Sequence, residues 1–342
     1  MSPNNVKTNI LLTGATGYIG GEVLSQLLEH PKFSSFNITA LVRSPEKAEK
    51  IRALGVQVVI GSHTDETLVE KLASDADVVI ATADADNLEA LRATLRGLKK
   101  RYEATKVQPA LIHTSGTGVL CDTAFGKYAT DDIYDDLNPD QIETIAPTQP
   151  HRNVDLEIVA ADKEGYVKTY IVLPSTIYGI STSKLAELGI QNPYSIQIPA
   201  LIKNSIARGQ GGVVGEGKNV WPHVEISEVA EIYVKLLDAV LAKSNPGHGR
   251  EGYYFAENGE YTFSVLGKRI SEVLVELGKG TNPEVITVSD EDAMVLANYG
   301  LASNSRCRAN RARTTLGWNP KKTTEDFYGS IKAELEAVLK RI

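Results

Sequence analysis

Residues 10–21, Ile-Leu-Leu-Thr-Gly-Ala-Thr-Gly-Tyr-Ile-Gly-Gly, decide how the rest of the chain is read. An apolar run ending at Leu12 enters a glycine turn, and the turn opens a helical pattern carried by Val23, Leu24, Leu27 and Leu28. Gly14, Gly17 and Gly20 lie three residues apart. In that spacing the first glycine permits the tight turn, the second lets backbone N–H groups approach a pyrophosphate, and the third allows close helix–strand packing. The phosphates then lie on a helix N-terminus, where N–H groups lack partners. A glycine triplet alone marks many ordinary turns, but one set between an apolar strand and an amphipathic helix predicts a dinucleotide site.

The pattern continues outward from this turn. The helix should run to about His30, and Ile38–Val42 forms the next strand, completing a βαβ unit. Folds that prefer NAD carry an acid at this strand end for the ribose 2′-hydroxyl; here Arg43, Ser44 and Pro45 follow, with Lys47 beyond. Those cations suit a 2′-phosphate, so the expected cofactor is NADP(H). The plainer alternative leaves Arg43 and Lys47 merely solvated. Gln57–Gly61, Thr67–Ser74, Asp77–Ala83, Asn87–Thr105 and Ala110–Ser115 then read as strand, helix, strand, helix and strand. This alternation predicts an α/β fold, a Rossmann-type doubly wound parallel sheet. Ligands bind outside the carboxyl ends of such strands, so Ala81 to Ala83 and Thr114 to Thr117 should border the cofactor.

Residues 116–147 are a long, aspartate-rich insertion, expected to be a surface lobe or lid. A helix over His151–Gly165 and a sixth strand over Val167–Leu173 follow, ended by Pro174. After Gly179 the pattern loosens, with helices near Pro199–Arg208 and Ser227–Leu241, β segments near Tyr253 and Val285, and a last amphipathic helix over Thr324–Leu339. The expected organisation is an NADP-binding domain over residues 1–180 and a smaller mixed α/β substrate lobe over 181–342, interleaved with it. At 342 residues and 42% hydrophobic the chain can bury a large core. A net charge of −7 argues against a general nucleic-acid or membrane-surface binder. Cys121 and Cys307 cannot build a disulfide framework, and no apolar run approaches a signal peptide or a membrane span. The expectation is a cytoplasmic protein, monomer or homodimer, whose partner is a small-molecule substrate.

Five stretches, in order along nearly the whole chain, resemble the extended and atypical short-chain dehydrogenase/reductase superfamily, which includes nucleotide-sugar epimerases, dihydroflavonol reductases and NmrA-like proteins. They are Thr13–Gly21, Ile112–Val119, Leu173–Gly179, His223–Tyr233 and Leu316–Pro320. The resemblance implies that Gly14, Thr16, Gly17, Tyr18 and Ile19 hold the pyrophosphate with Gly20 behind them. It places Arg43 on the adenosine phosphate, and Pro174, Ser175, Thr176 and Ile177 on the nicotinamide side.

The superfamily's chemistry uses a Ser or Thr after the fifth strand and a Tyr-x-x-x-Lys on the next helix. Tyrosine exchanges the proton, lysine lowers its pKa, and the hydroxyl orients the carbonyl. Here the motif slots fall on His151 and Asp155, and the hydroxyl slot on Gly116, leaving Ser115 or Thr117 to serve. Tyr102 with Lys106 and Tyr328 with Lys332 match the motif literally but lie elsewhere in the chain and read as solvated helix faces. One expectation is therefore an NADP(H)-dependent oxidoreductase in which His151 is the acid and Asp155, one turn along, orients it. The bland counterpart is an ordinary helix start, with Thr148 as N-cap and Pro150 in the first turn. Two alternatives of other classes are an NmrA-like NADP(H) sensor without catalysis and a non-redox isomerase or epimerase that keeps its cofactor. His113, His223 and His248 show no metal-ligand spacing, Cys121 reads as structural, and no metal is expected.

Overall fold

Thr8–Thr13 form β1, and Ile10, Leu11 and Leu12 are all buried because a central parallel strand is covered on both faces. A computed structural model describes residues 7–298 and 300–342, so the first six residues of the expected first domain lie outside the described ones. β1 ends at Gly14, whose φ is +79° and where a Cβ would lie 2.6 Å from the Thr82 backbone; only glycine fits. The chain then enters α1 (Tyr18–Leu28). β2 (Phe36–Val42), α2 (Pro45–Arg52), β3 (Gln57–Ile60), α3 (Glu66–Ser74), β4 (Val78–Ala81), α4 (Leu88–Thr105) and β5 (Ala110–Thr114) follow. α2 had no expected counterpart: it is short and polar, buries only Ala48 and Ile51, and is set by its Ser44 cap and Pro45.

The insertion contributes β6 (Tyr134–Asp135) and α5 (Pro139–Glu143), then α6 (Arg152–Lys163) leads into β7 (Lys168–Pro174) and β8 (Thr176–Tyr178). Beyond lie α7 (Lys184–Glu187), α8 (Gln197–Arg208), β9 (Gly212–Val213), β10 (Val220–Glu225), α9 (Ile226–Leu241), β11 (Tyr253–Ala256), β12 (Glu260–Thr262) and α10 (Phe263–Glu276). The chain ends through β13 (Ile286–Thr287), α11 (Asp290–Ala297), β14 (Cys307–Arg308), α12 (Asn310–Leu316) and α13 (Thr324–Leu339). Seven strands form one parallel sheet in the order β11-β7-β5-β4-β1-β2-β3. The order reverses between β1 and β4, and a doubly wound sheet opens its ligand crevice at that point.

β11 lies in the stretch expected to form the C-terminal lobe, yet it pairs with β7 and completes the main sheet. Conversely β8, from the first part, pairs with β10 in a second, three-stranded sheet. One core lies around the main sheet; another, around Ile202, Phe263, Ile270 and Phe327, underlies the C-terminal part. The insertion is anchored to the body: β6 pairs with β14, and the buried Asp136 carboxylate accepts the N–H groups of Phe255 (3.1 Å) and Arg311 (2.6 Å). Burial pushes that carboxyl up to about 7. Among the described residues no helix is long and apolar enough to cross a membrane.

Candidate active site

Tyr18 and Ile19, at the start of α1 just after the glycine turn, line a cavity of about 650 Å³ together with Thr82 beyond β4. Gly17 is the N-cap of α1, with no capping side chain and no acid in the first turn, so the helix N-terminus faces outward with free N–H groups. A Cβ on Gly20 would run into the Gly14 carbonyl and the Thr82 hydroxyl, which explains the close approach of α1 to the strand ends. Gln191 packs over Gly21 and donates to the Tyr18 carbonyl (2.9 Å), while the Asn192 N–H donates to the Thr16 carbonyl (3.0 Å). The stretch after α7 thus clasps the turn from the other side. Tyr18 lends no hydroxyl to a phosphate: its Oη donates to the Gly179 carbonyl (2.5 Å), and burial, with Glu334 and Glu225 near, raises its pKa well above the usual tyrosine value.

Arg43 is exposed just beyond the end of β2 and has no side-chain partner among the described residues. Ser44 beside it caps α2 through the Lys47 N–H (3.3 Å), so Arg43 and Lys47 flank one helix N-terminus. A smaller cavity of about 30 Å³ lies at the ends of β1 and β4, lined by His63, Ala81, Ala83, Asp84 and Asn87. An uncapped helix N-terminus beside closely packed glycines fits the pyrophosphate of an NAD(P) dinucleotide.

The opposite wall is built on α6. His151 is its N-cap, with φ +65°, a left-handed conformation uncommon for a side-chain-bearing residue. The expected Thr148 cap is not used. The Nδ1 of His151 lies 2.6 Å from Oδ1 of Asp86, in the loop after β4. Its Nε2 lies over the turn after β5, where a Cβ on Gly116 or Gly118 would come within 3.3 and 3.2 Å of it. Glycine thus occupies the hydroxyl slot because the imidazole fills that space.

Asp155 does not orient His151, contrary to the expected pairing. It is fully buried, and its Oδ2 accepts from the Ser115 hydroxyl (3.2 Å). Burial pushes its carboxyl up to about 7, against the Ser115 hydrogen bond and the Arg152 charge, which pull it down. Its Oδ1 has no partner, and neither has the buried Thr117 hydroxyl. Asp86, His151, Ser115 and Thr117 therefore line one cavity, with Asp155 buried behind Ser115 and outside the lining.

Of the expected residues, Tyr18, Ile19, Ser115, Thr117, His151, Pro174, Ser175 and Ile177 line this cavity. Ala81 and Ala83 line the smaller one. Thr114 and Thr176 line neither: their hydroxyls are bonded inside the core to Tyr233 (2.6 Å) and Tyr261 (2.9 Å). His113 is buried, and burial and the neighbouring His151 push it down to about 4; burial alone does the same to His223, which stacks on Phe327. Tyr102 and Tyr328 are partly buried against the two cores rather than solvated. Sequence reasoning missed Asp86, although it follows a strand end where ligands are expected, whereas Thr82 falls within the expected Ala81 to Ala83 stretch and lines the cavity. Thr82 sits over Gly14 with its hydroxyl on the Thr13 carbonyl (2.7 Å). Among the described residues no group of three His, Cys, Asp or Glu could hold a metal ion.

An NAD(P)H-binding family model matches residues 14–141. Oxidase ucsJ of an Acremonium species is 28% identical over 91% of this chain and 92% of its own. The dTDP-glucose 4,6-dehydratase of Haemophilus influenzae is 22% identical, with 93% and 94% covered. In structure the chain is similar to the Thermotoga maritima UDP-glucose 4-epimerase solved with UDP-glucose, at a TM-score of 0.66 and 19% identity over 98% of this chain and 99% of that one. That structural likeness carries the fold. The matched segment and the seven-stranded parallel sheet give the chain an NAD(P)H-binding, Rossmann-type α/β fold, the fold it shares with that epimerase.

Proposed function

We propose that the protein is an NADP(H)-dependent oxidoreductase acting on a carbonyl or alcohol, with His151 in the proton-transfer role that the superfamily gives to tyrosine. The observation that carries the reading is the His151 ring in the cavity wall, held on Nδ1 by Asp86 with Nε2 beside the Gly116–Gly118 turn. The strained backbone at His151 belongs to the same reading, since such conformations cluster where a side chain must be aimed.

When bound, the cofactor supplies or takes up the hydride. The α1 N-terminus holds its pyrophosphate, and Arg43 with Lys47 holds the 2′-phosphate, which favours NADP(H) over NAD(H). Asp86 accepts a hydrogen bond from Nδ1–H and faces the charge that His151 carries before Nε2 delivers its proton to a carbonyl oxygen. Asp155 acts through Ser115. Its Oδ2 accepts the hydrogen bond of the Ser115 hydroxyl and so fixes that side chain in the cavity wall.

The test is a screen of aldehydes, ketones and alcohols that follows NADPH absorbance with the full chain. Turnover on any member, faster with NADPH than with NADH, is expected. Tight NADP(H) binding with no turnover across the set would overturn the reading in favour of a cofactor sensor. Cofactor that stays bound and unconsumed while an isomer is formed would overturn it in favour of an isomerase.

A further inference from the structure

The charge and chemistry of the cavity wall select a class of substrate as well as a reaction type, a selection that rests on the oxidoreductase reading. The 650 Å³ cavity reaches from the nicotinamide side, at Ile19 and Ser175, to an outer half formed by Phe125, Tyr194, Ile196 and Trp221. Among the described residues no lysine or arginine lines it; its acidic members are Asp86, which is paired with His151, and Asp122. Asp122 is fixed: its carboxylate accepts the N–H of Asn304 (2.8 Å) and the Asn304 amide (2.8 Å), so it cannot swing away. Arg341 is stacked on the ring of Tyr194 (3.5 Å) but does not line the cavity. The polar atoms left in the wall are neutral. The buried hydroxyls of Thr117 and Ser195 have no partner, and each can pair with a neutral donor or acceptor on a ligand.

Beyond a helix N-terminus such as the one that takes the cofactor, recognition of a diphosphate or carboxylate draws on a guanidinium or ammonium at hydrogen-bond distance. This wall offers carboxylates instead, so an anion entering it would lose hydration and meet like charge. Aromatic rings and isolated hydroxyls suit a flat, apolar body with a few neutral polar groups. We infer that the substrate is an uncharged, largely apolar carbonyl or alcohol, aromatic or polycyclic in body, and that nucleotide-linked sugars and carboxylates are excluded by the charge of the wall. The fold shared with a UDP-glucose 4-epimerase therefore does not extend to that enzyme's ligand.

The experiment is calorimetry on the full chain saturated with NADP⁺, so that binding is read without hydride transfer. The probes are methyl 4-acetylbenzoate and 4-acetylbenzoate, which differ by one negative charge, with the neutral ketones 2-tetralone and benzylacetone and with UDP-glucose. The neutral ester should bind at least about tenfold more tightly than the carboxylate, and UDP-glucose should give no heat. Ile196→Lys places a cation on the rim at a residue 71% exposed, where the fold tolerates it. It should tighten the carboxylate severalfold and leave the ester within about twofold. Equal affinity for the two probes, binding of UDP-glucose, no binding of any neutral ketone below the millimolar range, or no gain by Ile196→Lys would each overturn the inference. Neutral ketones that bind here but are not reduced when NADPH replaces NADP⁺ overturn the oxidoreductase reading instead, which keeps the two failures apart.

Discussion

Asp155 links the site to the stability of the whole chain through one buried carboxyl. Its folded value, about 7, lies above the ordinary value near 3.9, so between these pH values the folded chain holds more protons than the unfolded one. The stability tied to this group is thus full below about pH 4, falls as pH rises toward 7, and stays low above. Asp155→Asn removes that titration. The variant should be more stable than the parent at pH 8, by on the order of 1–3 kcal/mol, and show little gain at pH 4, read by urea unfolding. Part of the pH slope should persist, because Asp136 is displaced in the same direction. A variant equally destabilised at both pH values would contradict this picture. At this scale the sequence was legible where backbone geometry dictates the residue: Gly14 has the positive φ and close contact that its place in the triplet demands. It was not legible for Asp86, because its partner is 65 positions away and the rule about strand ends points to a loop rather than to one side chain in it.

α6 and the turn after β5 act as one unit, since the ring at the start of the helix rests on the glycines of the turn. Gly116→Ala places a methyl 3.3 Å from His151 Nε2, tighter than side chains normally allow, so the ring must shift. Turnover should fall by about tenfold to a hundredfold while the NADPH dissociation constant changes less than threefold, because small misplacements at a reacting centre cost rate. The insertion is the second element with a distinct prediction. Asp136→Ala removes the acceptor of two buried N–H groups, and should cost about 2–3 kcal/mol in thermal unfolding. A loss under about 0.5 kcal/mol would mean that the insertion is held mainly by β6 and β14. Long amphipathic helices were legible from their periodicity; α13 begins and ends where its apolar stripe does. The membership of β11 in the main sheet was not, because four apolar residues read alike in either lobe.

Across the molecule, β1 and β4 bring the ends of distant segments to one crevice, and each face of that crevice has its own charge. Arg43 stands exposed just beyond the end of β2 with no side-chain partner among the described residues, whereas Asp86 and Asp122 line the cavity. Arg43→Ala should weaken NADPH by roughly tenfold to a hundredfold and leave NADH unchanged, by calorimetry with both cofactors; an equal effect on both would show that the arginine only stands in solvent. The α/β class and the switch-point crevice were legible from the alternation of segments. The second sheet was not, because β8, β10 and β12 are short and meet only through the tertiary fold. The central claim is that His151, held by Asp86, exchanges the proton. Its most direct test is steady-state turnover of His151→Phe on a carbonyl found in the screen, with NADPH affinity measured alongside. General acid catalysis contributes about 10²–10⁴-fold, so kcat should fall at least a hundredfold with NADPH binding intact; a loss of about tenfold or less would contradict the claim.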